Sequence, residues 1–409
     1  MGHAAEDRLS SRERIRAAIR HEEPDRVPVF LDIAVPLALS PKVRWRTPFE
    51  RALALLEMGA DPIVCIWLPD PVIDPAVQVR VARERQRDGT VLLTKRFDTP
   101  RGPLTQVVEE TPDWCAAGHG FWVHRTLGTT LREEYGVHVF DDWNVSRRRE
   151  PWVKGRDDLA KLPYLLRRPA QWQLEEWRYD AERAMEFAAR HGLYTMVRRT
   201  IVCDAFAWFC DIPWFLMQVH DDPGFVEEFL RIFEEFSDWQ MDVALEVKPD
   251  SLQHRDWYAG PEFWGPAHHE RHLLPYVNRA ADRCRAAGVH HCYLLTEGWG
   301  PYLDLFRSLH SDILWGADPM KGGAPLAEVK RRLGDSHTLL GGMNAELQIG
   351  PDPAAARAAA RAAIRDLAPG GGFILGVSSS IGLDWPPAAL AAIEAVVDEA
   401  HTTGRYPLS

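Results

Sequence analysis

GGGFILGVSSSIGLDWP, residues 370–386, carries a short apolar run, Phe373 to Leu375, that opens at once into glycine and serine. Upstream, the run Thr338 to Leu340 opens in the same way into GGMNAEL. Between them, residues 352–367 are rich in Ala and Arg, with the spacing of an amphipathic helix. Strand, helix and strand at this length make the βαβ unit of a parallel sheet. In barrels of that unit, polar residues just past a strand's carboxyl end face the active site.

Working outward, the same alternation recurs. Residues 10–21 have a Ser cap and set Ile15, Ala18 and Ile19 on one helical face, which Pro24 ends. RVPVFLDI, residues 26–33, follows as a strand with Asp32 near its far end. Residues 49–59 predict a helix, and ADPIVCIWLPD a second strand ending at Asp70. Residues 92–108, with DTPRGPLT between two β-rich runs, predict a hairpin rather than a barrel unit. Residues 114–169, rich in Trp, Arg and Pro, are expected to lie over one mouth of the barrel. From residue 171 on, helices alternate with strands at 193–197, 251–253, 289–295 and 313–315. The economical architecture is one α/β domain spanning 1–409. It is a (β/α)8 TIM barrel with an N-terminal hairpin and a Trp/Arg-rich insertion, together residues 90–169.

Composition narrows the function. Apolar residues at 46% and sixteen Trp supply a large core. A formal net charge of −11 argues against nucleic acid and anionic membranes as partners, since both call for a basic face. Cys65, Cys115, Cys203, Cys210, Cys284 and Cys292 are scattered without CxxC pairs, the pattern of a reducing compartment. No apolar run is long enough to span a bilayer, and MGHAAEDRLSSRER has no signal-peptide core, so a cytoplasmic chain is expected. A homodimer is the expected assembly, two-fold closure being the commonest.

Four segments in order carry a resemblance: RERIRAAIRHEEPDRVPVF, KRFDTPRGPLT, HDDPGFVEEFLRIF, and the closing GGMNAELQIG with GGGFILGVSSSIGLDWPPAALAAIEAVVDEAHTTGRYP. Together they resemble the uroporphyrinogen decarboxylase superfamily, and the hairpin resembles its cobalamin-linked methyltransferase and O-demethylase branch. That resemblance implies a barrel enzyme in which a small methylated substrate gives its methyl to a corrinoid on a partner protein. Two departures qualify it. LDIAVPLALS stands where the decarboxylases have an Arg-rich loop for carboxylates, so uroporphyrinogen is not the expected substrate. Zinc-dependent relatives carry HxCG after one strand and a Cys after the last. Here HHCYLLTEG places His290 and Cys292 at the HxC spacing, or, registered on Gly298, puts Glu297 at the Cys position; Ser379 stands at the last Cys. A thiolate-rich zinc site is therefore not expected, serine being a poor zinc ligand.

Strand-end logic nominates His254, Asp256, Glu297, Asp318, Asn344 and Ser379 as catalytic candidates. Each has a plainer role open to it: Glu297 as a helix cap, Asp318 as a turn former, Asn344 as a cap, Ser379 as part of a tight turn or anion nest, and the 254–256 cluster as a buried ion pair. Arg198, Arg199, Arg255, Trp257, Asp70 and Asp32 are candidate substrate contacts. If a divalent metal such as zinc serves, His254, Glu297 and Asp318 would be its N/O ligands, with His290 and Cys292 as the other choice. The stretch AFAWFCDIPWF, residues 205–215, either walls an apolar pocket or fills the flank. The resemblance favours methyl transfer or demethylation with acid help from Glu297 or His254; the alternatives are cofactor-free decarboxylation or lysis of a small acid held by Arg198, Arg199 or Arg255, and ligand binding without turnover.

Overall fold

The computed structural model describes residues 7–33, 45, 47–69, 71–110, 147–198, 202–296, 298–350, 352–379, 381 and 389–408. In chain order its strands are β1 (Val29–Phe30), β2 (Ile63–Trp67), β3 (Gln78–Arg85), β4 (Val91–Thr99), β5 (Gly102–Glu110), β6 (Arg148–Glu150), β7 (Tyr194–Arg198), β8 (Ser251–Arg255), β9 (His290–Leu294), β10 (Ile313–Ala317), β11 (Thr338–Met343) and β12 (Phe373–Val377). The chain divides into two compact units, one formed by Met1–Ile66, Tyr179–Arg199 and Ala244–Ser409, the other by Trp67–Arg178 and Thr200–Val243.

Eight strands form one sheet in the order β1-β12-β11-β10-β9-β8-β7-β2, parallel from β1–β12 round to β7–β8. With helices between successive strands, this is a (β/α)8 TIM barrel. Side chains alternate across each strand, so one set fills the interior. That set includes Tyr194 and Met196 of β7, Cys292 and Leu294 of β9, Ile313 and Trp315 of β10, Leu340 of β11 and Ile374 of β12. The helix Pro353–Leu367 shows why the segments between strands are helical. Asp352 accepts hydrogen bonds from the Ala354 and Ala355 amides, Pro353 opens the first turn, and Ala356, Ala360, Ala363, Ile364 and Leu367 are its buried stripe.

The order leaves β1 and β2 at its two ends, with no ladder between them among the described residues. Asp61, two residues before β2, bridges the gap. Its amide donates to the Val29 carbonyl at 2.7 Å, and its Oδ2 accepts the Val29 amide at 2.8 Å. One side chain thus stands in for a strand residue. Arg14 Nη1 reaches Asp61 Oδ1 at 2.5 Å, and Arg26 Nη1 reaches Oδ2 at 2.6 Å, with all three side chains buried. Burial opposes the Asp61 charge, but Arg26 and Arg14 outweigh it and hold the carboxyl below its usual range.

On the side of the barrel wall turned to the helices lies a buried polar layer. His269, on the helix Pro266–His272, lies 3.2 Å from the Tyr293 hydroxyl. His254 packs against Tyr276 and Tyr293, with ring centroids 5.6 and 5.5 Å away. Burial first, and His254 with it, pulls His269 down to about 4, while the Asp256 charge works the other way. A histidine neutral when folded and basic when unfolded binds more protons in the unfolded chain between these values. Stability from His269 is therefore full above about pH 6.5 and lost as pH falls toward 4, about 3 kcal/mol in all. Urea midpoints should drop more steeply over that window for the native chain than for His269→Gln; parallel slopes would exclude His269 as the cause.

The second unit contains the antiparallel sheet β3-β4-β5-β6. β4 and β5 are the hairpin the sequence predicts, turning at Pro100 and Arg101. Leu93, Lys95, Phe97, Leu104, Gln106 and Val108 form its buried face, with Phe97 edge-on to Trp152 at 4.9 Å. β3 is exposed along its whole length. In the 205–215 stretch, all five residues of the helix Ala205–Phe209 are buried, and Phe206 stacks on Phe215 at 5.0 Å.

Candidate active site

Alternation along β7 turns Tyr194, Met196 and Arg198 to the barrel interior, which brings Arg198 to the strand's carboxyl end. Its Nη2 donates to Asp32 Oδ1 at 2.5 Å, with both side chains about 6% exposed. Asp32 lies just past β1, two residues from Phe30, which faces the interior. The Arg198 guanidinium lies over the Trp315 ring, 5.6 Å from its centroid, and hydrogen-bonds the Cys65 thiol of β2. Trp315 is fixed in turn by its indole N–H, which donates to the Val377 carbonyl at 2.9 Å. Burial works against the Arg198 charge, but Asp32 and Cys65 more than offset it and the pKa rises.

A second guanidinium closes the group. Arg51, on the helix Pro48–Met58, donates to the Ile33 carbonyl at 2.6 Å. Burial and the Arg198 charge lower its pKa, against the pull of Cys65 and Asp32. Burial raises the Cys65 pKa despite Arg198, so the group is a thiol rather than a thiolate at neutral pH. A pocket lined by Phe30, Asp32, Phe49, Arg51 and Cys65 opens here, at the edge where β1 and β2 are not laddered. Among the described residues, the guanidiniums of Arg198 and Arg51 and the carboxylate of Asp32 make up this group.

The next strand ends form a separate polar knot. Asp318 Oδ2 accepts from Asn344 Nδ2 at 2.7 Å and from Ser378 Oγ at 2.5 Å, while Oδ1 accepts the Met320 and Lys321 amides. Asn344 Oδ1 in turn accepts the Glu346 and Leu347 amides. A bulge in β10 aims Asp318 there. The β10–β11 register slips between Trp315 and Ala317, and Gly316 stands between them at φ +132°, where a Cβ would meet the Leu295 carbonyl oxygen at 1.8 Å. Asp318 and Asn344 are brought together as the strand-end reading expects, but the serine that joins them is Ser378. Ser379, the residue nominated, is half-buried beside it. The arrangement ties three loops together, and both carboxylate oxygens already hold hydrogen bonds.

Other candidates lie elsewhere. Consecutive residues of a strand cannot share a face. His254 therefore points to the helix layer, with Asp256 Oδ2 3.1 Å from its Nε2, while Arg255 stacks at 4.2 Å on Trp257, which packs against the barrel core. Glu297, Asp70 and Arg199 lie outside the described residues. Among the described residues nominated as metal ligands, no shared site forms. His290 is half-exposed at the start of β9, 3.8 Å from Asp312, whereas Cys292 is sealed in the core with its thiol pKa pushed up by burial. His254 faces the helices, and Asp318 is saturated with hydrogen bonds. Sequence reasoning missed Arg51 and Cys65. The alternation Ile63, Cys65, Trp67 along β2 was the available signal for Cys65; Arg51 had none.

Residues 209–402 match the family model described as uroporphyrinogen decarboxylase (URO-D). Over that stretch, just under half of the chain, the protein is similar to the uroporphyrinogen decarboxylase family. Among solved structures, a methyltransferase from Methanosarcina mazei is similar at 15% identity, covering 96% of this chain and 99% of that one with a TM-score of 0.54. At that identity the likeness concerns the fold. A xylose isomerase-like TIM barrel protein from Mycobacterium smegmatis, in complex with magnesium, aligns at 12% identity over 60% of this chain and 88% of that one, TM-score 0.31. No curated protein matches. Among the described residues no helix is long and apolar enough to cross a membrane.

Proposed function

We propose that this protein is an enzyme of the uroporphyrinogen decarboxylase superfamily acting on a small organic carboxylate held at the mouth of its barrel, by cofactor-free decarboxylation or a related lyase step. The observation that carries the reading is the Arg198–Asp32–Arg51 group, two buried guanidiniums at one strand end set among Phe30, Phe49 and Trp315. Asp32 orients Arg198, and the two arginines hold the substrate's carbonyl oxygen β to the departing carboxyl. As the carbon–carbon bond to the departing carboxyl breaks, its electron pair flows toward that oxygen, and a guanidinium already in place stabilises the growing charge. The Cys65 thiol, protonated because it is buried, then donates the proton that the carbanion takes, and solvent restores it.

A second reading, methyl transfer, draws support from the TPRGPLT hairpin and from the full-length likeness to the methyltransferase. There the same arginines would hold a methylated acid, and a corrinoid on a partner protein would accept the methyl. One assay separates the two. The protein is incubated with a panel of small keto acids, dicarboxylates and methoxylated acids, with and without added cob(I)alamin. Carbon dioxide release that resists chelation is expected. Methylcobalamin formation without carbon dioxide would replace the first reading by the second. If no small carboxylate raises the melting temperature, the anion site itself is misassigned.

A further inference from the structure

We propose that the outer edge of β3 is a homodimer interface, in which two copies pair β3 antiparallel about a two-fold axis at Ala82. Among the described residues β3 ends the four-stranded sheet, and its residues are exposed from Gln78 to Arg85. Val79 and Val81 lie in register with Phe97 and Lys95 of β4, both buried, so they continue the sheet's covered face. Yet each is 40% exposed. Among the described residues, the row of apolar side chains thus runs past the point where the sheet is covered.

The hydrogen-bond phase of the edge follows from the hairpin turn. Gln86 donates its amide to the Thr90 carbonyl at 2.7 Å, so Gln86, Glu84, Ala82, Arg80 and Gln78 direct their backbone groups to β4. Val79, Val81, Arg83 and Arg85 then turn theirs outward. A two-fold antiparallel pairing must match these odd positions with one another. With the axis at Ala82, Val81 meets Arg83 of the second copy, Val79 meets Arg85, and Arg80 meets Glu84 twice over. With the axis at Arg83, that arginine would face its own copy. With the axis at Val81, Arg80 would face Ala82 and Glu84 would face Gln78. Charge complementarity therefore selects the Ala82 register, and the Arg83 and Arg85 stems cover the two exposed valines. Charged edge strands usually discourage pairing. Here the charges are arranged to match a second copy.

The test uses the full chain. Light scattering on a sizing column at tens of micromolar should give twice the chain mass. Arg80→Glu should weaken the dimer about tenfold, since two attractive pairs become repulsive. Arg80→Glu with Glu84→Arg should restore it, although that variant cannot restore the contact of Arg80 with Asp98 within the chain. In a non-hydrogen-bonded antiparallel pair the facing Cα atoms lie about 4.5 Å apart, within disulfide reach. Ala82→Cys should therefore cross-link under mild oxidation, well above an Arg231→Cys control on an exposed helical face. A monomer at these concentrations would overturn the proposal. So would a dimer that ignores the charge swap and does not cross-link through position 82. Neither result bears on the anion site.

Discussion

Asp61→Ala is expected to destabilise the protein by roughly 3–5 kcal/mol, the range for breaking a buried charge network by removing one partner. The substitution takes one buried carboxylate from the guanidiniums of Arg14 and Arg26, both about 1–2% exposed, and takes away the Val29 amide's acceptor. Arg14 keeps Asp25 at 2.8 Å and Asp7 at 2.9 Å, and Arg26 keeps Asp7 at 3.0 Å, so the loss is partial at both. Asp61→Asn, which still offers an acceptor to Val29, should fall between the two. Urea denaturation followed by circular dichroism measures this, and the midpoint should move with the slope unchanged. A shift of less than about 1 kcal/mol for the alanine variant would mean that surrounding residues close the seam unaided.

Arg198→Met should lower kcat/KM about a thousandfold, near 4 kcal/mol of lost transition-state stabilisation, as expected when a charged donor to a developing oxyanion is removed. It also leaves Asp32 buried without its guanidinium, so stability alone is a poor guide. Arg198→Met with Asp32→Asn removes both charges and should recover most of the stability, because replacing both members of a buried pair is often nearly neutral. It should not recover activity. Arg198→Lys keeps the charge but not the planar fork, and should retain a small part of the rate. If the stabilised double variant turned over normally, Arg198 would be structural and the anion would have to sit elsewhere.

The sequence makes the barrel legible because period-2 apolar runs and period-3.6 segments alternate, and that pattern needs no knowledge of contacts. It also makes Asp32, Arg198, Asp318 and Asn344 legible, since a polar residue just past an apolar strand has one usual destination. Two readings strayed and two features escaped notice, each for a definite reason. HRDWY reads as one cluster at a strand end, yet the pleat sends His254 to the helices and Arg255 inward. Ser378, not Ser379, meets Asp318, because the position of a side chain past a strand depends on a turn the sequence does not specify. Arg51 sits on a helix among ordinary surface positions, and only the packing of that helix over β1 brings its guanidinium to Ile33. β3 was missed because QVRVARER carries too few apolar residues to read as a strand unless its partner β4 is known.

A sheet of eight strands with seven ladders has a beginning and an end, even when it curls into a barrel. Val29 gives its amide to the Asp61 side chain, and the neighbouring ladder belongs to β12. Amide hydrogens along this line should exchange with heavy water sooner than those of β10 or β11, which have strands on both sides. The pocket with Arg51 and Cys65 lies along the same line. A bound anion that bridges Arg51 and Arg198 would act as a rivet across it, and slower exchange at Val29 would report occupancy without any turnover.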